Sequence, residues 1–299
     1  MKSSGRMKAV VLGANSATLV ETSMPTLQTS KSVLLKVTCA GVCKTDVWVA
    51  KGVIAGNLGY PLGHEFCGEV VQRGGDAEKF ELTQQVAVNP IIPCCQCDDC
   101  RSGHQNLCAY TTMLGIDHPG AFAEYVSVPE SQCYAINGLS PTLAAYAEPV
   151  AAALSIKQIE FACTDRVGLV GDDRISGLNR FVLKTMNVSI VEPSADHPVD
   201  TLIVTSTDHL ELNHVKAGGT IILKGRSPHP WHLHSIDIVK KRLKIIALNY
   251  APFDEAIAFL HQHAEELHAF LGQCFSLSQF DQAFSANDYK KVFINPCVD

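Results

Sequence analysis

Two sets of side chains suited to binding a metal ion lie in the 299-residue chain. One is compact: Cys94, Cys97, Cys100 and Cys108 follow the spacing C-x2-C-x2-C-x7-C. Zinc takes four tetrahedral ligands, with sulfur at about 2.3 Å. Cysteines this close together wrap one ion from a single loop. Four thiolates leave no open position, so the expected role is structural, with a folding contribution on the order of 10 kcal/mol, as in zinc-finger peptides. Free or disulfide-bonded cysteines are the competing reading, which the spacing disfavours. Cys95 breaks the spacing and reads as a bystander. The second set is scattered: Cys43 in Gly41-Val42-Cys43-Lys44-Thr45-Asp46, His64 and Glu65 after Gly63, and Glu148 in Ala147-Glu148-Pro149. One sulfur, one nitrogen and one or two oxygens suit a catalytic zinc that keeps a position open. Thiolate and carboxylate balance its charge and leave it a Lewis acid.

Ligands so far apart in sequence need a folded frame. The chain is 46% hydrophobic and 18% charged, with a formal net charge of −6, and its length fits about two domains. The first half reads as β-rich: short apolar runs such as Val33–Val37, Cys67–Val71 and Gln85–Val88, broken by Gly, Asp and Pro, indicate a barrel or sandwich. Near Leu139 the texture changes. Ser140 and Pro141 form an N-cap and first helical position, and a helical run from Pro149 to Ile159 follows. Strands are then expected at Val167–Val170, Ser189–Val191, Thr201–Val204, Thr220–Leu223 and Lys244–Leu248, with a helix around Leu178–Met186 and another at Asp254–Phe270. This alternation means an α/β domain with a largely parallel sheet. The expected division is 1–147, joined by about 272–299, and 148–271.

The totals exclude several classes. The densest basic cluster, Lys240, Lys241 and Arg242, is too small for a nucleic-acid footprint and reads as solvated. No stretch reaches the roughly 18 apolar residues of a membrane span, and the N-terminus lacks the apolar core of a signal peptide. A cytosolic location is therefore expected. Five of the twelve cysteines lie between Cys94 and Cys108, which favours metal over disulfides in such a compartment.

Taken together, Gly41–Asp46, Gly63-His64-Glu65 with Gly68-Glu69-Val70, the four-cysteine run, Gly120–Pro129 (GAFAEYVSVP) and Ala147-Glu148-Pro149 resemble the zinc-containing medium-chain dehydrogenases, and within them the sorbitol and threonine dehydrogenase branch. The resemblance spans nearly the whole chain. It implies a GroES-like β-rich catalytic domain and a Rossmann-like domain. It implies that Cys43, His64 and Glu148 bind the catalytic zinc, with Glu65 as a fourth or alternating ligand. Asp46 would hold the His64 imidazole, and Thr45 would hydrogen-bond the substrate oxygen and pass its proton. The implied reaction is hydride transfer between a small polar alcohol or its carbonyl and NAD or NADP, in a homo-oligomer, dimer or tetramer.

The sequence departs from that pattern in three places. The dinucleotide fingerprint would place glycines at 171, 173 and 176, but only Gly171 fits. Asp173 stands where backbone must approach a pyrophosphate, Asp172 adds an anion to a helix N-terminus that should attract phosphate, and Ser176 is small enough to be tolerated. The eight residues Pro193 to Asp200 are short for a parallel crossover, which needs about 10–12, so the nucleotide domain reads as degraded and shortened. Glu192 remains the acid that would grip an adenosine ribose. Trp48 stands where family members often carry a proton-relay histidine. Lys44 sits where some members keep a cation for the pyrophosphate.

Other residues are discounted. His229, His232 and His234 read as a solvated loop, and His261, His263 and His268 as the surface of a helix. No G-x-S-x-G elbow or P-loop is present. Two further functions compete with the dehydrogenase. One is a non-redox zinc lyase, isomerase or hydrolase, with Glu65 as a base. The other is a catalytically silent binding protein.

Overall fold

The computed structural model describes residues 5–14, 16–171, 173–205, 210–226, 228, 233–286 and 289–298. The chain divides into two compact units, Met1–Glu148 with Phe253–Asp299, and Pro149–Pro252.

The first unit is built on a seven-stranded sheet. Its long strand Ser32–Gly41 pairs antiparallel with Glu65–Arg73, from Val33 opposite Arg73 to Gly41 opposite Glu65. Gln85–Val88 and Cys133–Ala135 extend the sheet on one side. On the other side Tyr125–Pro129 pairs with the start of Ser32–Gly41, and Lys291–Asn295 pairs with its end at Ala40 and Gly41. Leu271–Ser276 forms the edge, parallel to Lys291–Asn295. Most of Ser32–Gly41 is buried on both faces, which explains why it reads as a continuous apolar run rather than an alternation. Leu35, Leu62, Phe66, Leu114 and Phe122 are fully buried in the core beside it, each stabilising the fold by roughly 1.5–3 kcal/mol.

The second unit carries five parallel strands in the order Ile190–Val191, Val167–Val170, Val199–Val204, Val215–Leu223, Lys244–Ala247. Helix Arg174–Thr185 makes the first crossover. It buries Leu178, Val182 and Leu183 along one stripe and stops before Asn187, whose φ of 59° is left-handed. Residues 192–198 hold no helix or strand. A connection this short closes because the edge strand has only two paired residues, and because Val199–Val204 lies beside Val167–Val170 rather than beyond the edge.

Four expectations change. The boundary expected near residue 271 lies at Pro252, so helix Phe253–Gln262 groups with the first unit. Phe253 is buried, and its ring sits 4.9 Å from that of Tyr134. The helix also breaks at His263 before Ala264–Leu267. His263 is not a surface residue: it packs on Phe259 at 4.4 Å between centroids. Likewise Lys241 is not simply solvated, since its ammonium donates to the carbonyls of Leu212 and Val215.

Candidate metal centres and nucleotide edge

The short helix Lys44–Ala50 begins at Cys43, and its first turn carries Asp46, which is 1% exposed. That single carboxylate organises the site. Oδ2 accepts the Cys43 backbone N–H at 2.9 Å, and Oδ1 accepts from Gly63 N at 3.2 Å and pairs with His64 Nδ1 at 3.0 Å. Fixing Nδ1 leaves Nε2 as the atom for a metal. Gly63 takes φ +95°, and a Cβ there would lie 2.8 Å from Phe122 N, so the turn delivering His64 requires glycine. Burial alone would lower the His64 pKa, but the charge and hydrogen bond of Asp46 outweigh it and raise it well above the usual value. A metal on Nε2 takes the place of that proton.

Glu65 follows on the adjoining strand, 2% exposed. Lys291, itself 5% exposed, forms an ion pair with Glu65 Oε2. A Cβ on Gly41 would come within 2.5 Å of Glu65 Oε2 and 2.7 Å of Lys291 Cε, so Gly41 makes room for the pair. Burial raises the Glu65 pKa, and Lys291 opposes the rise. Sequence reasoning missed Lys291; the signal available was a lysine opening an apolar terminal strand that returns to the first unit.

Ligand atoms of Cys43, His64 and Glu65 lie within 4.8 Å of one another. Glu148, 6% exposed at the start of helix Ala147–Leu154, stands outside this trio and raises the Glu65 pKa through its charge. Thr45 Oγ1 accepts from Cys43 Sγ at 3.6 Å. Lys44 is exposed in the helix's first turn, and Trp48 is half-buried.

Cys94, Cys97, Cys100 and Cys108 likewise bring their sulfurs within 4.8 Å of one another. The N–H groups of Gln96 and Cys97 point at Cys94 Sγ, and that of Cys94 at Cys108 Sγ. Backbone donation brings the Cys108 thiol down to about 6 and lowers that of Cys94. Burial takes Cys100 up to about 12. Cys95 is exposed and turns its sulfur toward the Pro93 carbonyl, as expected of a bystander.

Both donor sets fit zinc. The lobe offers four sulfurs and nothing else, which is a closed tetrahedral site. The trio offers sulfur, nitrogen and oxygen, all held by buried partners, which is the donor chemistry of an open one. The chain thus carries a structural and a catalytic zinc site.

In the second unit, Gly171 closes the strand Val167–Val170 with φ +126°. Asp173 is the N-cap of helix Arg174–Thr185. Its Oδ1 accepts from Ser176 N at 3.0 Å and Ser176 Oγ at 2.9 Å, and Ser176 Oγ also meets Thr205 Oγ1 at 2.5 Å. The helix N-terminus that would receive a phosphate is therefore partly filled by the chain's own carboxylate. Glu192 is exposed and lies 3.8 Å from Arg180. Gly171 and Ser176 fit a dinucleotide; Asp173 does not. Asp172, His229 and His232 lie outside the described residues, and His234 is the exposed N-cap residue of helix Ser235–Lys241.

Comparison with known proteins adds independent findings. Residues 29–138 match the alcohol dehydrogenase GroES-like domain. The chain is similar to L-galactonate-5-dehydrogenase of Escherichia coli K12, at 38% identity over 141 residues, 46% of this chain and 41% of that enzyme. It is also similar to L-threonine 3-dehydrogenase of Rhizobium rhizogenes, at 27% identity over 272 residues, 83% of this chain and 78% of that enzyme. The strongest of these alignments thus spans less than half the length of its partner. Among solved structures, a Sinorhizobium meliloti 1021 protein bound to NADP superposes with a TM-score of 0.85 at 25% identity, covering 98% of this chain and all of the other. The 2R,3R-butanediol dehydrogenase of Bacillus subtilis, at 20% identity and TM-score 0.82, shares the fold. Full-length matches of this kind do not show a shortened nucleotide domain, which corrects that expectation: the bare 192–198 connection is a feature of the sheet's edge.

Proposed function

We propose, from the premise that this chain belongs to the zinc-containing medium-chain dehydrogenase/reductase family, that it is an oxidoreductase moving a hydride between a small polar alcohol, or its carbonyl, and NAD or NADP. The observation that carries this reading is the Cys43–His64–Glu65 trio with Asp46 behind it. The names of the galactonate and threonine dehydrogenases favour hydroxylated acids as substrates.

Cys43, His64 and Glu148 would hold the catalytic zinc, with Glu65 as a fourth or alternating ligand. When bound there, zinc lowers the pKa of an alcohol and polarises a carbonyl. Asp46 keeps the imidazole in the tautomer that presents Nε2. Thr45, whose hydroxyl lies beside Cys43 Sγ, would hydrogen-bond the substrate hydroxyl and carry its proton away. Lys291 restrains Glu65 through their ion pair, which leaves Glu65 the alternating rather than the permanent ligand. Lys44, Gly171, Ser176 and Glu192 would meet the nucleotide. Four free thiols gathered for a metal favour a reducing compartment such as the cytosol. An exposed edge strand, Lys244–Ala247, together with Ile236, Val239 and Ile245 at 58%, 73% and 41% exposure, supports a homo-oligomer.

The test is nucleotide reduction by zinc-loaded protein with L-galactonate, L-threonine and a panel of small polyols. Activity with at least one alcohol, abolished by Cys43→Ala, is expected. Failure with every alcohol and both nucleotides would defeat the reading. The Asp173 cap is the observation that favours a second one, a zinc enzyme working without a nucleotide, which predicts zinc-dependent elimination or hydrolysis in that same failed assay.

A further inference from the structure

Lys224 directly follows the strand Val215–Leu223 at the carboxyl edge of the parallel sheet, and it is only 9% exposed. Its backbone N–H donates to Val204 O at 2.8 Å. Its amine reaches the other way, donating to Ala152 O in the last turn of helix Ala147–Leu154 and to Ser155 Oγ just beyond. Ser155 Oγ itself donates to Ala152 O at 2.8 Å, so it can only accept from Lys224. Both partners are neutral, and they take two of the three positions on an ammonium nitrogen. Among the described residues no carboxylate pairs with it. Among those residues the charged side chain that acts on it is another cation, Arg226. Arg226 stacks on Tyr250 at 4.5 Å and donates to Tyr250 Oη and Asn249 Oδ1.

A buried ammonium without a counter-charge is costly. Burial first, and Arg226 second, push Lys224 down to about 7, so the amine sheds its proton near neutral pH. A lysine poised in this way, at the end of an open parallel sheet where ligands bind, has no anion beside it among the described residues.

We propose that Lys224, with Arg226 beside it, is the seat of an anionic group of a bound small molecule, a phosphate or a carboxylate. The third position on the Lys224 nitrogen donates to an anion oxygen, and the anion supplies the missing counter-charge. The site lies wholly within the second unit and does not depend on the metal or on the dehydrogenase reading.

The linkage has a definite sign. Below pH 7 the amine is already charged and an anion binds without moving a proton. Above pH 7 the amine is neutral in the free protein, so binding draws in up to one proton and affinity falls as pH rises.

The experiment is calorimetric titration of the zinc-loaded protein with inorganic phosphate and, separately, with D-glycerate. It is run at pH 6 and pH 8, in buffers of differing ionisation enthalpy, for the wild type and Lys224→Met. Saturable binding by either probe is expected, with at least a tenfold loss in Lys224→Met, and with proton uptake at pH 8 in excess of that variant's and no such excess at pH 6. Phosphate alone binding identifies a phosphate group as the ligand; glycerate alone identifies a carboxylate. Unchanged affinity in a folded Lys224→Met, or absence of binding by both probes at pH 6, overturns the proposal. Lys224 would then serve only to cap the carbonyl end of helix Ala147–Leu154. Should Lys224→Met fail to fold, Lys224→Arg, whose guanidinium stays charged at pH 8, takes its place: anion binding at pH 8 with less proton uptake than the wild type is expected, and unchanged uptake overturns the proposal.

Discussion

Asp46 and Asp173 sit at matching places in the two units. Each is an acid in a loop or first turn where a strand passes into a helix, and each accepts from a backbone N–H of that helix start. Their consequences are opposite. Asp46 spends its oxygens on Cys43, Gly63 and His64, and those bonds hold two ligand-bearing residues and the turn between strand and ligand toward a shared point. Asp173 spends an oxygen on Ser176, which satisfies the helix internally and uses up an N–H that a phosphate would want. The same capping chemistry builds one site and half-closes the other. The lesson is that a site is defined by what its supporting bonds leave unsatisfied.

Substitutions at these positions sharpen the contrast. The largest effect belongs to Asp46→Asn. An amide keeps one acceptor oxygen in place of two and has no charge to set against the imidazole, so zinc affinity at the trio and turnover should fall 10–100-fold, while the four-cysteine lobe keeps its ion. Metal analysis showing two zinc ions per chain and unaltered turnover would break the contrast. Asp173→Gly should act in the other direction. Removing the carboxylate frees Ser176 N and removes a repulsion of about 1–2 kcal/mol, so NADH or NADPH should bind about tenfold more tightly. Glycine is a tolerable N-cap, so stability should fall by only a few tenths of a kcal/mol. Weaker nucleotide binding in this variant would mean that Asp173 contacts the ligand rather than obstructing it.

A third aspartate sets the lower bound. Asp200 pairs with Lys216 at 2.8 Å, with the two side chains 33% and 42% exposed. The Lys216 bond, with the Arg166 N–H, holds its carboxyl below the usual value. A depressed acid contributes stability that is present above its unfolded pKa, about 4, and lost as pH falls through the lower folded value. Solvent screening keeps the pair small. Lys216→Met should cost under about 1 kcal/mol at pH 7 in a denaturant titration, and the cost should vanish below about pH 3. A larger loss, or one that persists in acid, would put Asp200 in the same class as Asp46.

What could be read from the sequence followed the range of the interactions. The four-cysteine lobe was legible in full because its ligands lie on one loop. Cys43, His64 and Glu65 were legible as candidates, but nothing local announces that Gly63 and Asp46 would aim them together; that depends on the strands Ser32–Gly41 and Glu65–Arg73 pairing in register. Lys291 was missed because its partner is more than two hundred residues away. The α/β alternation placed the five parallel strands, yet the boundary slipped because Phe253 packs on Tyr134, a contact without a local signature. Asp173 was flagged as an obstruction. Its role as the helix cap follows from the same residue but appears only once Ser176 is placed beside it.

The most direct measurement is calorimetric titration of the zinc-loaded wild-type protein with NADH and with NADPH. Hydride transfer to a nicotinamide nucleotide predicts saturable one-to-one binding of at least one of them, tightened by Asp173→Gly. No binding of either up to millimolar concentration, in the wild type and in Asp173→Gly alike, would contradict it.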